Sequence, residues 1–128
     1  MTIYLTPNIS DEQIAEMEPF EAFRLGEELL DSRYPRDAVR VLRRVVDEAP
    51  ENSAGWELLG RACFAAALLR PAEEAFSRLV ELEPTNAWAR TALGLSLDRQ
   101  SRHREGAAQH RIADALGGDG TRATFAPS

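Results

Sequence analysis

The pattern of apolar and polar residues along the chain predicts seven helices and no strands. A first short helix carries Ile14 and Met17 on one face, and Ser10 with Gln13 predicts a capping box at its start. Before it, apolar and β-branched residues precede Pro7, which predicts an extended arm over residues 1–9. The predicted helices lie near residues 10–18, 19–32, 36–48, 53–67, 71–82, 87–100 and 103–116.

A step of 34 residues relates the six longer helices to one another. It links small residues, prolines and predicted N-caps: Gly26, Gly60 and Gly94; Ala38, Ala72 and Gly106; Leu42, Phe76 and His110; Pro50 and Pro84; Asn52 and Asn86. Glycine inside a helix costs about 1 kcal/mol relative to alanine, so three in register need a packing reason. We expect each glycine to face the small residue twelve positions later, where two antiparallel helices approach most closely. The pattern therefore predicts an all-α fold, an α-solenoid of three antiparallel helix pairs with a short N-terminal helix.

The middle pair carries the most complete motif, W-x2-L-G-x2-C followed by A-x3-F and P, from Trp56 to Pro84. This spacing resembles the tetratricopeptide repeat, with Cys63 at a position where that family has tyrosine. The resemblance covers about residues 19–118 and implies a right-handed superhelix with repeats at about 19–52, 53–86 and 87–118. Outside it, residues 1–18 form the arm and short helix, and residues 119–128 are expected to be a flexible tail.

The resemblance also implies a function, that of a non-enzymatic adaptor which binds another protein along one face of the first helices. The residues that would line this groove are Phe20, Phe23, Glu27, Leu30, Glu57, Arg61, Phe64, Trp88, Thr91, Leu95 and Arg99. We expect most of the apolar members to be open to water, as at a protein-binding site. Chaperone-binding relatives hold a carboxylate in this groove with basic residues, whereas the matching places here are Phe23, Glu27, Leu58, Trp88 and Ala92. The expected ligand is therefore an apolar peptide or an amphipathic helix.

The N-terminal arm has two possible roles. Ile3, Tyr4 and Leu5 are apolar and could cover the groove or dock on a second copy of the chain. The alternative is a partly disordered leader.

Charge adds two further alternatives for the function. The chain has a net charge of -6, so nucleic acid is not an expected partner unless basic groups cluster. Arginines do cluster on the predicted third helix and near the C-terminal end: Arg36, Arg40, Arg43 and Arg44; Arg99, Arg102, Arg104 and Arg111. Such stripes usually form a solvated outer face. The alternatives are a self-associating module joined head to tail, or a regulator that contacts nucleic acid through these arginines.

The remaining residues predict no chemistry. Cys63 is the only cysteine, so no intramolecular disulfide can form and a cytoplasmic location is expected. It is predicted to be a small buried hydrophobe, and His103 and His110 are predicted to be surface or cap residues that hold no metal. No cofactor, catalytic residue or membrane insertion is expected. All 15 basic residues are arginine, which suggests a GC-rich bacterial genome.

Overall fold

A computed structural model describes residues 8–117, so most of the predicted arm and the whole predicted tail lie outside the described residues. Every element within that range is helical. The elements are α1 (Asp11–Glu16), α2 (Pro19–Asp31), α3 (Pro35–Glu48), α4 (Ser53–Ala65), α5 (Leu69–Leu82), α6 (Ala87–Asp98) and α7 (His103–Ala115). Each helix begins and ends within two residues of its predicted bounds, and the prediction of an all-α fold is confirmed. Among these helices, none has the length and apolar character needed to cross a membrane.

The helices form three pairs, α2 with α3, α4 with α5, and α6 with α7. Successive pairs join where α4 packs on α3 and α6 packs on α5, which gives one continuous core. The turn inside each pair contains one residue with positive φ, at Arg33, Ala67 and Ser101. These three residues are also 34 apart, so the repeat seen in the sequence extends to the backbone of the turns.

The predicted helix caps are present. The Ser10 hydroxyl accepts a hydrogen bond from the Gln13 backbone N–H at 3.1 Å, and the Gln13 side chain accepts one from the Ser10 N–H at 2.8 Å. The Asn52 and Asn86 side chains accept from the third residue of the helices that they precede. Each cap satisfies donors that the first turn of a helix leaves without a partner.

A large side chain of the partner helix lies directly on each glycine of the register. A Cβ on each would overlap a large side chain sixteen positions later: Leu42 for Gly26, Phe76 for Gly60 and His110 for Gly94. In the third pair the predicted neighbours do meet, since a Cβ on Gly106 would lie 3.0 Å from the Gly94 carbonyl oxygen. Glycine is therefore required because the partner helix rests a buried side chain directly on the backbone.

Two arginines of α3 hold α1 in place. Arg40 donates to the Ile9 carbonyl at 2.7 Å and to the Asp11 carboxylate at 2.8 Å. Arg44 donates through Nε and Nη2 to the Met17 carbonyl, at 3.0 and 2.7 Å. The prediction of a solvated arginine stripe is thus wrong for these two residues, whose guanidinium groups fix the backbone at both ends of α1.

Polar residues cover both ends of the solenoid. Gly55 lies on the face of α4 that packs on the preceding pair, against Val45 and Val46 of α3. The residues at equivalent positions of the first helices differ in burial: Gly55, Leu58 and Ala62 in α4 and Ala89, Ala92 and Ser96 in α6 are buried, whereas Glu21, Arg24 and Glu28 in α2 are exposed. At the other end, exposed Asp114 stands at the position of Val46 and Val80. Polar residues thus stand at these positions at both ends of the described helices, although Ile112 and Leu116 are also exposed at the end of α7.

Candidate functional site

The predicted groove residues lie on α2, α4 and α6, and Arg99 is the C-cap of α6. Among the apolar members, only Phe20 is exposed, at 70% of its full surface. The others are half-buried and pack against the core: Phe23, Leu30, Phe64, Trp88 and Leu95. The expectation that most of this set is open to water is therefore wrong, because each half-buried side chain uses part of its surface to join neighbouring helices.

Trp88 shows why the apolar members are half-buried. Its ring meets the edge of Phe76, with centroids 5.8 Å apart and planes at 79°. Phe76 is fully buried in α5, so Trp88 joins the third pair to the second. Edge-to-face aromatic pairs are worth about 0.5–1.5 kcal/mol beyond the area that they bury. Trp88 is consequently part of the scaffold as well as a lining residue.

The structure brings Phe64 and Arg99 together across two pairs. The Arg99 guanidinium carbon lies 5.2 Å from the centroid of the Phe64 ring. A similar contact occurs within α2, where the Arg24 guanidinium carbon lies 5.7 Å from the Phe20 centroid. Such cation–π contacts are worth about 0.5–1 kcal/mol at exposed sites. The groove thus has aromatic rings beside arginines near both of its ends.

The polar members give the groove a charge gradient. Glu27 is exposed on α2, and half-buried Glu57 and Arg61 lie on α4. Arg99 is exposed at the end of α6. Among the predicted members, the first pair thus contributes an acidic residue and the third a basic one, with Arg24 also beside Phe20 at the first pair.

Sequence reasoning missed a polar cluster between α6 and α7. The His110 side chain is only 14% exposed, and its Nε2 lies 2.9 Å from an Asp98 carboxylate oxygen. His103 approaches the other oxygen of Asp98 at 3.6 Å. The prediction of a surface or cap residue is therefore wrong for His110, whose Nδ1 is buried without a hydrogen-bond partner among the described residues. The replacement of Leu42 and Phe76 by histidine in this register was the signal available in the sequence.

Cys63 behaves as predicted. It is a free, fully buried thiol in α4. Burial raises the pKa of the Cys63 thiol to about 11. A thiol in that state is not a nucleophile at neutral pH.

A second concave region lies between α3 and α5 and shares no residue with the groove. This α3–α5 depression has a volume of about 610 Å³. Its lining includes Trp56, Leu59 and Cys63 from α4, with charged side chains of α3 and α5 around them. The Trp56 indole N–H donates to the Pro50 carbonyl at 2.8 Å, which fixes the ring.

Comparisons with known proteins agree with this architecture. No family model matches the sequence. The TPR repeat-containing protein PA0015 of Pseudomonas aeruginosa is 41% identical over 56 residues, which are 44% of this chain and 53% of that protein. The match therefore spans about half the length of this curated relative.

Solved structures of MamA are similar in fold. MamA from Desulfovibrio magneticus RS-1 superposes with a TM-score of 0.73 at 28% identity, over 77% of this chain and 55% of that chain. A MamA structure designated AMB-1 gives a TM-score of 0.76 at 22% identity, over 84% of this chain and 67% of that chain.

Stacked helix pairs with a groove along their first helices define a class, the α-solenoid proteins, whose fold indicates a protein–protein interaction module. Within that class the 34-residue register, the curated relative and the MamA structures agree. The chain is therefore similar to tetratricopeptide-repeat proteins in sequence and in fold.

Proposed function

We propose that this protein is a non-enzymatic adaptor that binds a peptide or an amphipathic helix of another protein along the groove of its first helices. The observation that carries the proposal is Phe20, a large aromatic side chain that is 70% exposed beside the half-buried apolar residues of the same surface. Aromatic residues at the end of an apolar strip are typical anchors of binding energy.

The chemistry of the ligand follows from the lining. Half-buried Leu30, Phe64 and Leu95 offer a narrow apolar strip, which favours a ligand with one apolar stripe. Glu27 at one end and Arg99 at the other favour a ligand with a basic residue near the first pair and an acidic residue near the third. We infer a cytoplasmic location from the single buried thiol.

The test uses two exposed groove residues, Phe20 and Arg99, because their replacement spares the core. A Phe20→Glu, Arg99→Glu double variant serves as bait beside the wild-type chain in crosslinked lysates of the source cells. Captured proteins should fall at least tenfold for the double variant, while its far-UV circular dichroism stays unchanged. Trp88 is unsuited to this test because its loss would also disturb Phe76.

Ile112→Glu is the matched control, since Ile112 is another exposed large hydrophobic residue but lies on α7. It should retain the partners that the double variant loses. Equal capture by wild type and double variant, or equal loss in the control, would show that the groove is not the binding surface.

The two alternatives have less support. Contact with nucleic acid would need free arginines, yet Arg40 and Arg44 are engaged with α1, and Arg102 pairs with Glu73 at 2.7 Å and Glu105 at 2.8 Å. Nucleic-acid binding would weaken steeply with salt, which separates it from binding in an apolar groove. Head-to-tail self-association, acidic end to basic end, would make the molecular mass rise with concentration, and a molecular mass that is independent of concentration would exclude it.

A further inference from the structure

The third helix pair has two polar residues where the other two pairs have apolar ones. One position lies on the first helix of each pair, in the register of the groove, and the other lies on the second helix, against the glycine of that pair. The residues at these two positions are Leu30 with Leu42, Phe64 with Phe76, and Asp98 with His110. Both positions are polar in the same pair, so the carboxylate in the register of the groove comes with a histidine beside it.

The Asp98 carboxylate is held against α7. One of its oxygens lies 2.9 Å from His110 Nε2, and the imidazole is the donor because a carboxylate only accepts hydrogen bonds. A Cβ on Gly106 would overlap the other oxygen, so the carboxylate rests on the backbone of α7. His110 thereby binds to α7 a carboxylate that stands in the register of the groove residue Phe64.

Arg99, the next residue along the chain, keeps an uncompensated positive charge. Its side chain is exposed, and its guanidinium carbon lies 5.2 Å from the centroid of the Phe64 ring. Asp98 pairs with the histidines of α7, and no other carboxylate among residues 8–117 forms an ion pair with Arg99. An aromatic face attracts a guanidinium group without neutralising it. The third pair therefore offers a positive charge to a ligand in the groove.

Histidine at position 110 lowers the stability of its own site. Its Nδ1 is buried without a hydrogen-bond partner among the described residues, which is a cost in free energy of unfolding. Leucine at the equivalent position 42 fits on Gly26 without any such atom. A residue that is unfavourable for packing at its position indicates a role other than folding. The contact that can supply this role is the hydrogen bond to Asp98.

We propose that His110 is a positioning residue for ligand specificity, which holds the Asp98 carboxylate on α7 so that Arg99 can pair with an acidic side chain of the ligand. Without His110, the Asp98 side chain, which is already 31% exposed, would turn to water beside Arg99 and compete with the ligand for its charge. The inference rests on the proposed function, because it concerns the groove on the first helices.

The experiment compares two helical peptides that share one leucine stripe and a lysine at one end. The other end carries glutamate in the acidic peptide and glutamine in the neutral peptide. Binding to the full chain is followed by backbone amide chemical shifts, which give the dissociation constant and locate the peptide.

The acidic peptide should bind wild type about three- to fivefold more tightly than the neutral one, as expected for an exposed ion pair, and shift amides of the groove. Arg99→Gln should abolish this preference. Arg104→Gln is the matched control, since it removes an exposed arginine of α7 and should leave the preference unchanged.

His110→Leu should reduce the preference to below about twofold without lowering the Tm. Combining it with Asp98→Asn should restore the wild-type preference, because the carboxylate that competes for Arg99 is then absent. A merely structural role of His110 would not be rescued by a change at Asp98. Asp98→Asn alone should keep at least the wild-type preference.

The proposal is overturned if His110→Leu keeps the wild-type preference, or if the double variant does not regain it. Equal binding of both peptides in the groove of wild type would also overturn it, while leaving the proposed function standing. Amide shifts outside the groove, or no binding of either peptide at millimolar concentration, would contradict both proposals.

Discussion

Replacing His110 by leucine should stabilise the third helix pair. His110 occupies the register position of Leu42 and Phe76, where the other pairs rest a buried apolar side chain on a glycine. Its Nδ1 is buried without a hydrogen-bond partner among the described residues, and a Cβ on Gly94 would overlap the ring. Leucine already fits the same geometry on Gly26, so the replacement introduces no new shape at this position.

The magnitude follows from two opposing contributions. A buried polar atom without a partner costs about 1–3 kcal/mol, and leucine removes that cost. The change also removes the hydrogen bond to Asp98, worth about 1.5–3 kcal/mol for a charged acceptor. Most of this loss is recovered, because the Asp98 side chain is 31% exposed and water can replace the imidazole. The leucine side chain would fill a site that the imidazole already buries, so its burial adds little, and removal of the unsatisfied nitrogen leaves an expected net gain of about 1–2 kcal/mol.

Thermal unfolding and amide hydrogen exchange measure the effect. The Tm should rise by about 3–8 °C, and exchange of the α6 and α7 amides should slow most. His103→Leu is the control, since the His103 side chain is 73% exposed and its replacement should leave the Tm within about 1 °C. A lower Tm for His110→Leu would refute the reasoning, because it would mean that the Asp98 bond outweighs the unsatisfied nitrogen.

Three other substitutions or treatments test the packing. Gly60→Ala should lower the free energy of unfolding by about 1–2 kcal/mol in urea titrations, because the overlap of the new Cβ with buried Phe76 costs more than the higher helix propensity of alanine contributes. An unchanged urea midpoint would contradict this prediction. Cys63 should react with iodoacetamide at pH 8 roughly a hundredfold more slowly in the native chain than in urea, because its raised pKa of about 11 leaves little thiolate; equal rates would show an open thiol. Arg44→Ala should raise amide exchange across α1 and leave α4 to α7 unchanged, because Met17 loses both of its donors; uniform acceleration would indicate a global role instead.

The part of the fold that follows the 34-residue register could be predicted from sequence. Some residue types indicate a single role of the backbone, as Gly60, Asn52 and Pro84 do. The helix bounds and caps could be predicted from such residues. The register could not predict how a long side chain reaches across helices. Asp98 shares a register position with the groove residue Phe64, yet its carboxylate lies against Gly106 and His110 on α7.

The role of the α3 arginines was hidden for a different reason. Their positions on the outer side of α3 are normally solvated, and only the non-repeating segment before Pro19 changes this. Nothing in the spacing of Arg40 and Arg44 indicates that the Ile9 and Met17 carbonyls lie within reach.

A residue's role in this solenoid depends on what precedes its helix as much as on its place in the register. Phe20 and Trp88 stand at one position, 68 residues apart. Trp88 follows α5 and packs on Phe76, whereas Phe20 follows the short helix α1 and stays 70% exposed. At the same register position, the aromatic side chain of Trp88 thus joins two helix pairs, whereas that of Phe20 in the first pair is available for binding. Phe20 is therefore the groove residue whose replacement separates binding from folding most cleanly, because its surface makes the smallest contribution to the core.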